Sequence, residues 1–241
     1  MRRLFSDNLS TDPLPLDADQ ARHARKALRL KPGDAVELFD GQGNLAEGTL
    51  RLEGRDASVA VTRRWHEPRP KPAVTVAVAM PKGGRADMLI EKASELGADR
   101  IIPLRTQRSI VEVGDAKHDR LQRMAIASAK QSGRPHLMEV EEPRELDDLL
   151  AEAAREAFDP NQLLKLIADP EGVGTVGAMQ LLGALGSTKR VLVLVGPEGG
   201  WAEQERQQAC DAGFVPWRMG PYVLRVETAV MAAVALCRQI L

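Results

Sequence analysis

The sequence predicts an α/β protein whose second part holds a mostly parallel sheet, preceded by a smaller β-rich domain. From residue 73 onward, apolar runs alternate with segments of helical period, the order that builds a parallel sheet with helices on both faces. Before residue 66, short runs with a period of two are separated by turn residues, which is typical of a small barrel. The prolines of Glu67-Pro68-Arg69-Pro70-Lys71-Pro72 favour a stiff, extended linker. We therefore expect domains at residues 1–70 and 73–241.

The N-terminal part begins with a short predicted helix. Asp17 is a suitable capping residue, and an apolar face follows at Ala21, Ala24 and Leu28. Another face is basic, with residues spaced three and four apart: Arg22, Arg25, Lys26 and Arg29. Such a stripe is typical of a solvated helix surface, and it also suits contacts with nucleic-acid phosphates. Three strands joined by turns are predicted next: Ala35–Asp40, Leu45–Leu52 and Asp56–Arg64.

The second part alternates strands and helices along its whole length. The predicted strands are Val74–Met80, Arg100–Leu104, Leu137–Val140, Leu163–Ala168, Val191–Val195 and Phe214–Met219. The predicted helices are Arg85–Leu96, His118–Gln131, Arg144–Ala157, Val176–Leu185, Ala202–Ala212 and Val226–Leu241. The last helix is apolar nearly all round between Ala229 and Cys237. Such a helix must be buried on more than one side, either in the core or beneath a second subunit.

Three strands end in similar loops. The buried strand Val191–Val195 ends in Gly196-Pro197-Glu198-Gly199-Gly200, where the glycines let a ligand approach the backbone closely. Related loops are Asp169-Pro170-Glu171-Gly172 and Met219-Gly220-Pro221. One such loop alone is equally typical of an ordinary βα turn. Because open α/β sheets keep their ligands at the carboxyl ends of their strands, the repetition indicates a ligand site.

Composition excludes several classes of function. No apolar run is long enough to span a bilayer and no signal-peptide pattern begins the chain, so we expect a cytoplasmic protein. Cys210 and Cys237 lie far apart and the four histidines are scattered, which predicts neither a disulfide framework nor a metal site. A net charge of −1 and 3% aromatic residues do not suit an RNA-coating protein. The sequence has neither a GxGxxG fingerprint nor a P-loop, which disfavours a nicotinamide-dependent enzyme.

Two C-terminal segments carry a family resemblance: Gly196-Pro197-Glu198-Gly199-Gly200 and Leu224-Arg225-Val226-Glu227-Thr228-Ala229. They are similar to the signature of the SPOUT-class RNA methyltransferases, and more narrowly to the bacterial 16S rRNA uracil-N3 methyltransferase family. Trp201 departs from that family, which more often has phenylalanine there. Further matching segments extend the resemblance over nearly the whole chain: Pro81-Lys82-Gly83, Glu91–Gly97, Gln107-Arg108-Ser109, Gln131–Arg134, His23–Arg29 and Phe39–Gly41.

The resemblance implies a fold and an activity. The fold would be a SPOUT-like, trefoil-knotted, mostly parallel sheet with an N-terminal PUA-like β-barrel; physical rules alone predict an unknotted sheet, because knots are very rare. The activity would be S-adenosylmethionine-dependent methylation of N3 of a uridine in 16S rRNA, free or in the small ribosomal subunit. Members of the family are homodimers, which favours a second subunit as the cover of the last helix. Neither a metal nor a membrane is implied.

The resemblance also implies roles for individual residues. Glu198 and Arg225 would be catalytic. The cofactor would be held by Asp169, Leu194, Gly196, Pro197, Glu198, Gly199, Met219, Gly220 and Leu224. RNA would be contacted by Arg22, Arg25, Lys26, Arg108, Arg134 and Tyr222.

Several alternatives stay open at this point. Glu198 would take the N3 proton of the uridine, or it would only brace its own loop through backbone amides. Arg225 would stabilise a developing anion or hold a phosphate, unless it forms an ion pair with Glu227. Leu194 and Leu224 suit either a cofactor wall or an ordinary core position. Tyr222 would stack on the target base or pack against a neighbouring subunit. The alternative functions are methylation of another RNA position by a SPOUT enzyme and RNA binding without catalysis in ribosome assembly.

Overall fold

The computed structural model describes residues 2–54, 56–111, 114–155, 163–174, 177 and 190–239 of the chain. The chain forms two compact units. The first consists of Met1–Arg69 and Ile126–Leu137, and the second of Pro70–Ala125 and Met138–Leu241. Among the described residues, no helix has the length and apolarity needed to cross a lipid bilayer.

The first unit is built on a sheet of its own. Its elements are β1 (Arg2–Phe5), β2 (Leu14–Pro15), α1 (Ala18–Arg22), β3 (Ala35–Phe39), β4 (Asn44–Glu53) and β5 (Asp56–His66). The strand order is β1-β3-β4-β5-β2, in which only the β1–β3 pair is parallel. Asp17 caps α1 as predicted, because its Oδ1 accepts a hydrogen bond from the Gln20 amide at 2.7 Å. A single turn of π-helix, His23–Ala27, extends α1. Ala21 and Ala24 are buried.

The second unit is an α/β sheet with helices on both faces. Its strands are β6 (Ala73–Val78), β7 (Arg100–Arg105), β8 (Glu139–Val140), β9 (Arg144–Glu145), β10 (Leu163–Gly174), β11 (Arg190–Val195) and β12 (Val215–Arg218). Its helices are α2 (Gly84–Leu96), α3 (Asp115–Ser132), α4 (Leu146–Arg155), α5 (Glu203–Asp211) and α6 (Val226–Gln239), with α3 running on into the first unit. The strand order is β12-β10-β11-β6-β7-β8, β9 also pairs with β7, and every pair is parallel. The predicted α/β class is confirmed.

Alternate side chains of the sheet build two separate core layers. On β11, Val191, Val193 and Val195 belong to the layer that α2, α3 and α6 cover. Leu192 and Leu194 belong to the opposite layer, which α4 and α5 cover. Burial on both faces explains why β11 reads as a continuous apolar run, since each fully buried valine or leucine contributes about 1.5–3 kcal/mol.

The structure differs from two sequence-based expectations in this unit. The strand predicted to end at Ala168 continues to Gly174 as β10, and Ala168 and Val173 both pair with Trp217. The four residues between them bulge out of the ladder. Gly172 makes this possible, because a Cβ there would lie 2.4 Å from the Pro216 carbonyl carbon. The helix predicted from Arg144 begins at Leu146, because the two preceding residues form β9. The helix predicted over Val176–Leu185 lies, apart from residue 177, outside the described residues.

The last helix, α6, buries one of its faces in the core of the second unit. Val230, Ala233, Val234 and Cys237 have no exposed surface, and they pack in the same layer as α2. The opposite side of the helix is only half-buried, as Met231 illustrates. A central core position therefore accounts for only part of the apolar surface of α6.

Candidate active site

The carboxyl ends of three neighbouring strands form one cavity. Strands β11, β10 and β12 are adjacent and parallel, so the segments that follow or interrupt them meet at one edge of the sheet. The cavity has a volume of about 770 Å³. It is lined by residues 168–171, 195–198, 200, 201, 203, 206, 217–220, 222–226 and 229, together with Arg85 at the beginning of α2. Gly199, which was predicted to contact the cofactor, is not part of this lining. The structure thus brings together the three loops that the sequence singled out.

The loop after β11 is held in place by the indole of Trp201. Gly200 closes a turn by donating to the Pro197 carbonyl at 2.9 Å, with a φ of +69° that favours glycine. Trp201 lies against Gly196 so closely that a Cβ on Gly196 would be 2.8 Å from the indole Cε2. The indole Nε1 donates to the Ala168 carbonyl at 3.0 Å. One side chain therefore fixes this loop to the bulge of β10, through a hydrogen bond that phenylalanine cannot make.

A second brace joins the same loop to the segment after β7. The buried carboxylate of Glu205 accepts hydrogen bonds from the backbone amides of Gln107 at 2.7 Å and Ala202 at 2.9 Å. The Arg108 guanidinium donates to the carbonyls of Gly199 at 2.9 Å and Trp201 at 3.1 Å. In this structure the Arg108 guanidinium is therefore hydrogen-bonded to backbone carbonyls of the protein itself. Its predicted contact with RNA stays a prediction.

The Asp169 carboxylate is buried at the edge of the cavity. It accepts hydrogen bonds from Arg206 Nε at 2.6 Å and from the Glu171 amide at 2.8 Å. The hydrogen bond to Asp169 raises the pKa of the Arg206 guanidinium, which also lines the cavity. Both partners are thereby fixed, and the bulge of β10 keeps its shape around them.

Glu198 forms an ion pair with a residue that the sequence did not suggest as its partner. Its Oε1 lies 2.6 Å from Nη1 of Arg85, and both side chains are half-exposed in the cavity wall. Among the described residues, no backbone amide donates to this carboxylate. Arg85 follows Lys82-Gly83-Gly84 at the beginning of a predicted helix, a signal that was visible in the sequence but gave no reason to pair it with Glu198.

The segment after β12 forms the open side of the cavity. Met219, Gly220 and Leu224 line it, and Tyr222 stands out with 82% of its surface exposed. Arg225 lines the cavity and is exposed, whereas Glu227 is buried in the first turn of α6. Among the described residues, no ion pair links these two side chains, so Arg225 is available to a ligand.

Other residues predicted for the site lie elsewhere. Leu194 is fully buried in the layer beneath α4 and α5, away from the cavity lining. Arg25 donates to the carbonyls of Gly54 and Asp56 in the first unit. Arg22 is exposed and pairs with Asp19. Lys26 is exposed and Arg134 is half-exposed, also in the first unit. Each predicted role for these residues stays a prediction.

The chemistry of the cavity suits a mixed polar and apolar ligand of nucleoside size. Its volume lies within the range of about 300–1,000 Å³ that small-molecule sites occupy. The lining includes the carboxylates of Glu198 and Glu171 and the apolar side chains of Met219 and Leu224. A sulfonium nucleoside, which combines a cation, hydroxyls and an apolar ring, fits these groups. Within the described part of the chain, no cluster of histidine, cysteine and carboxylate side chains is arranged to bind a metal ion.

Both parts of the chain match known families of protein domains. Residues 67–238 match the RNA methyltransferase domain family, and residues 16–61 match the RNA methyltransferase PUA domain. The chain belongs to this RNA methyltransferase family. The family therefore accounts for both the parallel sheet and the separate N-terminal sheet, which is PUA-like as the resemblance implied.

Relatives of this methyltransferase include proteins named ribosomal RNA small subunit methyltransferase E. The one from Mycobacterium bovis is 35% identical over 92% of this chain and 83% of the relative. The one from Synechocystis is 31% identical over 91% of this chain and 71% of the relative. A crystal structure of the Neisseria gonorrhoeae protein of that name, bound to S-adenosylmethionine, superposes with a TM-score of 0.86 at 29% identity. The superposition covers 100% of this chain and 98% of the Neisseria gonorrhoeae chain.

Proposed function

We propose that this chain transfers a methyl group from S-adenosylmethionine to N3 of a uridine in 16S rRNA. The single observation that carries the proposal is the cavity in which the loops of β10, β11 and β12 meet. Family membership supports RNA methylation, and a relative bound to S-adenosylmethionine supports the cofactor. The choice of the uridine N3 rests on the resemblance of Gly196–Gly200 and Leu224–Ala229 to the uracil-N3 family.

The cofactor would be held largely by backbone groups. Gly196 and Gly220 line the cavity, and a Cβ on Gly220 would have open space around it, so its backbone is accessible to a ligand. Met219 and Leu224 would pack against the apolar parts of the ligand. When bound, S-adenosylmethionine supplies an electrophilic methyl on a sulfonium. Pro197, Gly199 and Asp169 would shape the loops around it, whereas buried Leu194 supports them from the core.

The protein's own groups would prepare the uridine. N3 of a uridine carries a proton and is a poor nucleophile until that proton leaves. The Glu198 carboxylate would accept the proton from N3, an effect worth roughly 10²–10⁴-fold in rate. Arg225 would face the negative charge that develops on the uracil oxygens. Alignment of both reactants in one cavity adds to this, since oriented groups reach effective molarities of about 10⁵–10⁸ M.

RNA would be bound by both units. In the first unit, the exposed Arg22 and Lys26 would contact phosphates, and so would Arg25 and Arg134. In the second unit, the exposed ring of Tyr222 would stack on the target base. Arg108 would reach RNA only by leaving the carbonyls that it now binds. We expect the substrate to be 16S rRNA, free or within the small subunit, and the reaction to take place in the cytoplasm.

Two further structural features belong to this proposal. A homodimer in which a second copy covers α6 would bury Met231 and its half-exposed neighbours. A trefoil knot would hold the three loops around the cofactor more firmly than an open sheet does. Sedimentation equilibrium tests the dimer, which a monomer at micromolar concentration would contradict.

Base-resolved analysis of the product tests the activity. Purified protein is incubated with labelled S-adenosylmethionine and either naked 16S rRNA or small subunits from a strain that lacks the corresponding gene. Mass spectrometry of the digested RNA should show N3-methyluridine at one position. Label on a ribose or another base would replace the uridine N3 assignment. Cofactor binding without any methyl transfer to either substrate would support a binding protein instead.

A further inference from the structure

Arg85 has a defined position in the cavity and no function so far. It lies in the first turn of α2, and its Nη1 is 2.6 Å from Oε1 of Glu198. The two side chains expose 36% and 40% of their surface, and both line the cavity. Glu198 is the one acidic residue in the loop after β11, residues 196–202, so this loop offers Arg85 a single carboxylate.

The pair is better suited to orientation than to stability. A half-exposed ion pair contributes little to folding, because water already solvates both charges well. The loop after β11 is also fixed independently, by Trp201 and by the Arg108 and Glu205 hydrogen bonds. The Arg85 guanidinium instead fixes the orientation of the Glu198 carboxylate. By occupying Oε1, it leaves Oε2 of Glu198 as the oxygen that is available to a ligand in the cavity.

A carboxylate oxygen held in this way distinguishes two pyrimidines. Uracil carries a hydrogen-bond donor at N3, whereas cytosine presents a lone pair there. An ionised carboxylate is an acceptor only, so it binds the uracil edge and repels the cytosine edge. A carboxylate free to rotate would lose much of this discrimination, because water or the 4-amino group of cytosine would then satisfy it.

We propose that Arg85 is a positioning residue that fixes Glu198 so that its second oxygen reads the N3–H donor of uracil. The Arg85–Glu198 pair then selects uridine over cytidine at the target position. The inference rests on the proposed function and adds a determinant of specificity to it. Arg85 does not itself touch the base in this account.

The test measures discrimination separately from turnover. Two RNA oligonucleotides carry either uridine or cytidine at the position that product mapping identifies. Their dissociation constants are measured by fluorescence anisotropy without any cofactor, and kcat and KM are measured with the uridine oligonucleotide. The variants are Arg85→Gln and Arg85→Lys. Arg120→Gln is the matched control, because it removes an ion pair between Arg120 of α3 and Asp87, which lies on the same helix as Arg85, and neither residue lines the cavity.

The wild-type protein should prefer the uridine oligonucleotide by about 10- to 100-fold, the range expected for one hydrogen bond to a charged group. Arg85→Gln should bring the two affinities to within about threefold of each other, and Arg85→Lys should restore most of the preference. The control should keep it.

The possible failures are distinguishable. An Arg85→Gln variant that keeps the full preference overturns this inference and leaves the proposed function intact. A variant that only melts at a lower temperature, with the preference unchanged, shows a purely structural pair and also overturns it. If the wild-type protein does not methylate uridine N3 at all, the proposed function falls and this inference falls with it.

Discussion

A methyl group added at Gly196 should disturb the cavity through Trp201. The Cβ of Gly196→Ala would lie 2.8 Å from Cε2, 3.0 Å from Cδ2 and 3.1 Å from Nε1 of the indole. Contacts this short require the ring to move, and overpacking of this kind costs about 1–3 kcal/mol. The movement also stretches the hydrogen bond from Trp201 Nε1 to the Ala168 carbonyl, a further loss of about 0.5–1.5 kcal/mol.

The expected result is a protein that is less stable and binds its cofactor more weakly. A loss of about 2 kcal/mol corresponds to a fall in melting temperature of about 4–8 °C for a chain of this length. Because the loops of β10 and β11 separate when the ring moves, affinity for S-adenosylmethionine should fall by about tenfold or more. Differential scanning calorimetry and isothermal titration calorimetry measure the two effects.

Two further variants make this prediction specific. Gly220→Ala adds the same methyl to another glycine of the cavity, where nothing lies within 4 Å of the new Cβ. It should change the free energy of unfolding by less than about 0.5 kcal/mol. In a Trp201→Ala background, Gly196→Ala should cost almost nothing, since the obstructing ring is gone. Equal melting temperatures for the two alanine variants, or an undiminished cost without the indole, would refute the reasoning.

Three other regions give predictions of their own. Arg238 donates to buried Asp99 at 2.5 Å and to backbone carbonyls, so Arg238→Met should lower the free energy of unfolding by about 3–5 kcal/mol in urea titrations. Burial, and then the charge of Lys130, lower the pKa of His23. The folded state therefore resists protonation, and His23→Gln should lose less stability than the wild type as pH falls below about 6.5. Burial raises the pKa of the Cys237 thiol to about 12, so it should not react with a disulfide reagent at pH 8 until the protein unfolds.

Each of these predictions has a control and a contradicting result. Arg123→Met removes an exposed arginine from α3 and should be nearly neutral; similar losses for both methionine variants would contradict the role given to Arg238. If the free energy of unfolding depends on pH in the same way in the wild type and in His23→Gln, the pKa of His23 does not differ between the folded and unfolded states. Cys210 is half-exposed and serves as the internal reference for thiol reactivity. Two rapidly reacting thiols in the native protein would be inconsistent with the buried position of Cys237.

The sequence was most informative where structure depends on neighbouring residues. The apolar run Val191–Val195, the glycines that follow it and the cap at Asp17 are local signals, and each produced the predicted element. The repetition of three similar loops indicated a ligand site, but their convergence depends on the strand order, in which β11, β10 and β12 are adjacent and parallel.

The features that sequence analysis missed depend on pairing between distant segments. The bulge of β10 exists because β12 pairs with it on both sides of residues 169–172. The partnership of Arg85 with Glu198 joins residues 113 positions apart, and nothing local to either one announces it. Residues 126–137 belong to the first unit by their contacts, although residues 126–132 are the end of a helix that begins in the second. Spacing along the chain does not encode such contacts.

The central claim is that the loops of β10, β11 and β12 enclose S-adenosylmethionine. A crystal structure of the protein with this compound tests it most directly. We expect density for the ligand in the cavity of about 770 Å³, against Gly196, Gly220 and Leu224 and within reach of Glu198. Ligand bound at any other place, with these loops unchanged and empty, would contradict it.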